Sequence, residues 1–224
     1  MRNRFDLQLE HLNNGLIEMG SLVEQSVERA IDALMRHDTE KAEQNIDFDK
    51  EIDQKMKELE NLCLKLLLSQ QPVARDLRLI SSALKMVSDL ERIGDQCADI
   101  SEIVTMIPEG IDWDSLKEIP DMAMAVKKMV TESVDAFVRC DIHLAQKVID
   151  DDDTVDYLFK VIRQKLVDTV RSGHDMGEMI VDLLMVIKYF ERIGDHAVNV
   201  AKWVIFSITG NRNGSRYLSS EFPD

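Results

Sequence analysis

Glu91-Arg92-Ile93-Gly94-Asp95 returns one hundred residues later as Glu191-Arg192-Ile193-Gly194-Asp195. Five identical residues within two stretches of helical composition mark an internal repeat, one supersecondary unit used twice. The pentapeptide carries a Glu and an Asp four positions apart, and positions i and i+4 share a helix face. Each copy therefore presents two carboxylates side by side.

The repeat extends outward from this core. Asp32-Ala33, Arg36 and Asp38 match Asp135-Ala136, Arg139 and Asp141 at an offset of 103, as do Asp47, Asp49 and Asp53 with Asp150, Asp152 and Asp156. The offset falls to 100 for Ile80 and Leu84, which match Ile180 and Leu184. The difference lands between Gln70-Gln71-Pro72 in one copy and Ser172-Gly173-His174 in the other. Both are turn compositions, and a turn is where length changes are tolerated.

Apolar residues make up 45% of the 224 residues but aromatics only 5%, with 12 Met, 9 Gly and 4 Pro. Strands favour β-branched and aromatic residues, so this mixture points to helices. A net charge of −15 argues against general nucleic-acid binding, which needs a basic surface. It suits a protein that meets cations or basic partner surfaces; most of the charge is expected to be solvated helix surface. The first residues, Met1 to Asp6, contain no apolar segment of the kind that opens a secretory leader, and no run approaches a membrane span. Cys63, Cys97 and Cys140 are too few and scattered for a disulfide framework and are expected to be packing thiols in a reduced, cytoplasmic protein.

Periodicity predicts six helices, three per repeat. They run from about Phe5 to Arg36, from an Asp38-Thr39 cap to Ser69, and from Ala74 to Thr105. The second set runs from Ile119 to Arg139, Ile142 to Arg171 and Met176 to Phe206. Pro108-Glu109-Gly110 opens the linker between the sets. The expected fold is all-α, two tandem antiparallel three-helix bundles related by the repeat. Residues 1–110 form the first repeat, 111–210 the second, and 211–224 a flexible tail. The third helix is expected to bury Leu77, Ile80, Leu84, Val87, Glu91, Gly94 and Ala98 along one stripe.

Acids interrupt the apolar stripes at the same places in both copies. Asp53 lies 19 residues before Pro72 and Glu91 lies 19 after it; Asp49 and Asp95 stand 23 away on either side. Antiparallel helices bring residues equally far from their turn to one level. Asp49, Asp53, Glu91 and Asp95 should therefore gather about 28 Å from the turn. Asp152, Asp156, Glu191 and Asp195 should do the same in the second repeat. Four close carboxylates repel one another and resist desolvation. A hard cation bound by oxygen ligands compensates for both. A mid-helix Gly costs about 1 kcal/mol relative to Ala, and Gly94 and Gly194 let a neighbouring helix or an ion approach. The competing expectation is a groove edge where these acids pair with Arg92, Arg192 or Lys50.

Other chemistry is sparse. The Glu-x-x-His pattern of di-iron bundles is absent, because Gly94 and Gly194 occupy the His positions. His11, His37, His143 and His174 read as surface or helix-end residues. Arg75 and Arg78 near a helix start are expected to be solvated or to pair with acids, since the second repeat carries Asp175 and Glu178 nearby. No Gly-rich phosphate loop and no Ser/His/Asp or Cys/His arrangement appears, so no catalytic residue is assigned.

Asp-x-x-x-Asp on each second helix with Glu-Arg-Ile-Gly-Asp on each third resembles the PhoU family, the phosphate-specific transport system accessory proteins of bacteria. The turn Gln70-Gln71-Pro72-Val73-Ala74-Arg75-Asp76-Leu77-Arg78 is similar to that family too, and the likeness covers about residues 10–207. It implies a cytoplasmic, non-enzymatic regulator acting between the phosphate ABC transporter and a sensor histidine kinase. Such a regulator restrains phosphate uptake and reaches the membrane only through its partners. It also implies multinuclear metal at Asp49, Asp53, Glu91 and Asp95 and at Asp152, Asp156, Glu191 and Asp195. The metal is divalent or trivalent: iron, zinc, manganese or magnesium. Homodimerisation is left open, and Asp99 faces Asn199, so the two sites are expected to differ in charge. The alternative is a carboxylate-bridged metal oxidoreductase or metal-storage bundle.

Overall fold

Six helices alternate with turns: α1 (Arg2–Arg36), α2 (Thr39–Gln70), α3 (Ala74–Met106), α4 (Glu118–Arg139), α5 (Ile142–Arg171) and α6 (Gly177–Thr209). The computed structural model describes residues 2–70, 72, 74–108, 110, 111, 113, 116–172 and 177–211. The tail expected to be flexible lies, beyond Asn211, outside the described residues, as do Met176, His174 and Asp175 at the second turn.

The duplication reaches the backbone. His37 and Cys140, matched at offset 103, both adopt the left-handed conformation with φ 51°. The next residue then closes the helix in the same way, Asp38 N–H on Ala33 O and Asp141 N–H on Ala136 O, each 2.9 Å. Those aspartates cap the following helix. Asp38 Oδ1 accepts from the Lys41 N–H at 3.0 Å; Asp141 Oδ1 accepts from the N–H groups of His143 and Leu144. An N-cap Asp satisfies amides that have no intrahelical partner, so the turn holds without glycine.

Each bundle packs its own three helices, and the bundles also pack on each other, α3 against α6 and α1 against α4. One continuous apolar core therefore runs from Leu12 through Ile93 and Phe190 to Ile205. This corrects the single stripe expected on α3. Leu77 is exposed, while Ala83, Met86, Leu90, Ile93, Cys97 and Ile100 are buried. A helix that faces α1, α2 and α6 at once buries far more than one stripe. Cys63 and Cys97 are core residues, their thiols pushed up by burial, Cys63 to about 12. Cys140 is exposed at the left-handed end of α4 rather than packed, because the turn directs it out of the bundle. Arg78 pairs with no acid among the described residues; its side chain lies along Gly210. Among the described residues, no helix is long and apolar enough to cross a membrane.

Candidate metal centre

Asp49 and Asp53 from α2 and Asp95 from α3 each offer an oxygen, all within 4.8 Å of one another. The level of Asp49 with Asp95 about Pro72 accounts for this meeting. Glu91 stands outside the trio, one turn nearer the α2–α3 turn, but shares its field. Burial, then the charges of Asp95 and Asp53, push the Glu91 carboxyl up to about 7. Burial, then Asp95 and Asp53, raise Asp49 from 3.8 to about 6, and burial and Asp53 raise Asp95. Desolvation and like charge both disfavour the ionised form.

One oxygen of Asp49, Oδ1, is buried with no hydrogen-bond partner. A Cβ on Gly94 would stand 2.9 Å from that atom and 2.9 Å from Ile52 Cδ1. The carboxylate thus occupies the space that the absent side chain leaves. An unbonded buried acceptor within an all-oxygen donor set suits a hard cation. Lys57 reaches Asp53 at 3.3 Å, but Lys50 bonds Asp47 instead of the cluster, and Arg92 makes no ion pair with it.

The second constellation has the same plan and a different balance. Asp152 is raised to about 6 by burial and by Asp195 and Asp156, with Lys202 opposing. Burial and Glu191 raise Asp195, with Lys188 opposing. Lys188 forms a close ion pair with Glu191 Oε2 and sits 5.5 Å from the Phe159 ring centroid. Lys160 lies 3.7 Å from Asp156, as Lys57 does beside Asp53. Gly194 is looser than Gly94: its Cβ would stand 3.3 Å from Asp152 Oδ1. No three of these four acids bring oxygens as close together as the first trio among the described residues.

The residues that make the sites unequal were legible but not singled out. At the offset of 100, Lys188 replaces Ser88 and Lys202 replaces Glu102. Each exchange adds positive charge beside the second set, in the same direction as Asp99 becoming Asn199. His196 joins neither set. Its Nδ1 lies 2.9 Å from Asp89 Oδ1 across the α3–α6 seam, where Asn199 also donates to Asp89.

The PhoU domain model matches residues 16–104 and 119–204, one match per repeat. The chain is 38% identical over 212 residues to the phosphate-specific transport system accessory protein PhoU homolog of Clostridium acetobutylicum, covering 94% of this chain and 97% of that one. The Pseudomonas aeruginosa homolog is 36% identical over 208 residues, with 92% and 86% covered. The crystal structure of PhoU from Pseudomonas aeruginosa superposes with a TM-score of 0.89, covering 92% of this chain and 100% of that one. PhoU from Streptococcus pneumoniae, 26% identical, gives 0.86 over 92% and 98%. With both repeats matched and the six-helix fold shared, the chain belongs to the PhoU family.

Proposed function

We propose that this chain is a cytoplasmic metal-binding regulator that restrains phosphate uptake and phosphate-starvation signalling. It acts between a phosphate ABC transporter and a sensor histidine kinase. The relatives' names, phosphate-specific transport system accessory proteins, support the transport half of this role. The observation that carries the metal half is Asp49 Oδ1, buried, unbonded and wedged against Gly94 in a carboxylate trio.

Asp49, Asp53, Glu91 and Asp95 would hold metal in the first bundle, and Asp152, Asp156, Glu191 and Asp195 in the second. A bound cation supplies positive charge that offsets their mutual repulsion and clamps the second helix of each repeat to the third. The protein's own part is to place carboxylates on two rigid helices at one level and to admit no side chain at the glycines. The acidic exterior then offers a contact to basic surfaces of membrane-bound partners. Deleting the gene should derepress phosphate-starvation genes in phosphate-rich medium, read by reporter expression. The chain should sediment with membranes only in cells holding the transporter or kinase, and high salt should release it. Normal repression in the deletion strain rejects the role. Metal-dependent oxygen consumption by the purified protein would favour an oxidoreductase instead.

A further inference from the structure

Along the seam, Arg78 meets Gly210, Asp89 meets His196, and Tyr189 neighbours Asp99. Rising numbers on α3 meet falling numbers on α6, so the helices are antiparallel and the two Glu-Arg-Ile-Gly-Asp segments lie opposite each other. Between them opens a cleft of about 660 Å³. Arg92 enters it from α3, Arg192 and Lys202 from α6. None of the three makes an ion pair among the described residues, whereas lysines elsewhere, such as Lys57, Lys147 and Lys165, each meet an acid.

Two guanidinium forks and an ammonium from two helices are the donor set that recognises a tetrahedral oxyanion. Asp95, Asp152 and Asp195 line the same cleft. Bare, those three carboxylates cancel the three cations and hold an anion off. With cations on the carboxylate constellations, the balance turns positive. We propose that this cleft binds inorganic phosphate through Arg92, Arg192 and Lys202, with the affinity set by metal on the neighbouring carboxylates. The dependence on metal rests on the function proposed above; the arginine clamp does not.

Two features of the wall narrow the ligand. Gln96 lines the cleft and its buried Oε1 accepts no hydrogen bond. An acceptor in need of a donor suits an anion that still carries a proton, as hydrogen phosphate does and sulfate does not. No Phe, Tyr or Trp lines the cleft, and its one ring, His196, is held by Asp89, which disfavours a nucleobase. Because its ligating side chains come from both repeats, the bound anion would tie one bundle to the other.

Titration calorimetry of inorganic phosphate, sulfate and ATP into the full chain tests this, with elemental analysis of every sample. Phosphate should bind the metal-loaded protein at least tenfold more tightly than sulfate or ATP. R92Q/R192Q should weaken phosphate at least tenfold while metal content and melting temperature stay unchanged. Stripping the metal should also weaken phosphate at least tenfold. The proposal is overturned if a sample of confirmed metal content binds no phosphate, or if R92Q/R192Q binds as the parent does. It is overturned too if ATP binds more tightly than phosphate. If the protein takes up no metal, metal binding fails on its own account. Phosphate binding that R92Q/R192Q removes would then still establish the clamp, and its absence would reject it.

Discussion

Asp49 sits where α2 passes the glycine of α3, with one oxygen buried and unbonded. In metal-free protein at pH 7 it is ionised against burial and against Asp95, Asp53 and Asp99. Asp49→Asn removes that charge at nearly constant shape. We expect the metal-free variant to be more stable than the parent by about 1 kcal/mol, after discounting the shift for partial exposure. The same variant should lose the stabilisation that added Mn²⁺ or iron gives the parent. Urea midpoints with chelator and with metal check both, and a metal-free variant less stable than the parent contradicts the account. The glycines supply a second contrast. Gly94→Ala drives a Cβ to 2.9 Å from Asp49 Oδ1 and from Ile52, whereas Gly194→Ala meets nothing nearer than 3.3 Å. Mid-helix alanine is favoured over glycine by about 1 kcal/mol. Gly194→Ala should therefore stay within about 1 kcal/mol of the parent, and Gly94→Ala should lose about 1–3 kcal/mol to overpacking. Equal midpoints for the two variants would contradict the closer approach at Gly94. The repeat alignment made all eight acids and both glycines legible, because identical residues at one offset need no structure. It did not disclose that Asp49 Oδ1 goes unbonded, since that depends on where Ile52 and the α3 backbone stand.

At the scale of elements, α2 with α3 and α5 with α6 are packed pairs that carry mutually repelling carboxylates at their contact. The folded values of Asp49 and Asp152 near 6 and of Glu91 near 7 exceed the ordinary 3.8 and 4.5. The metal-free folded state therefore binds protons that the unfolded chain has released. Stability from these groups is full below about pH 4 and is lost as pH rises through 6 to 7. Groups held down by lysine partners, such as Asp151 and Glu118, give stability that is full above their ordinary values of 3.8 and 4.5 and is lost only as pH falls below them, so they stay constant across this window. In chelator, the urea midpoint should fall between pH 5 and 8. With metal present the slope should reverse, because cations bind the deprotonated carboxylates. A midpoint in chelator that rises over this window contradicts the raised carboxyl values. The helices themselves were readable from period and punctuation. The Asp38-Thr39 cap placed the start of α2, while the wide burial of α3 escaped because a stripe describes one neighbour and α3 has three.

In the whole molecule the repeats are joined by the α3–α6 seam and share one core. Ile93 and Ile193 are both buried at its middle, so separating the bundles would expose apolar surface on each. Metal-free protein should unfold in one transition, with calorimetric and van't Hoff enthalpies equal; two resolved transitions would show that the bundles stand alone. The sequence showed two repeats plainly but not how they dock, because the docking face mixes with the core stripe of each bundle. The central claim is that the carboxylate constellations hold cations. Metal atoms per chain, counted by elemental analysis of gently purified protein, test it most directly. The parent should retain metal, and Glu91→Gln with Asp95→Asn should lose more of it than Glu191→Gln with Asp195→Asn, because Lys188 and Lys202 already neutralise part of the second set. A parent without metal that also gains no stability from Mn²⁺, Zn²⁺ or iron, or variants that keep the parent's full metal content, would contradict the account.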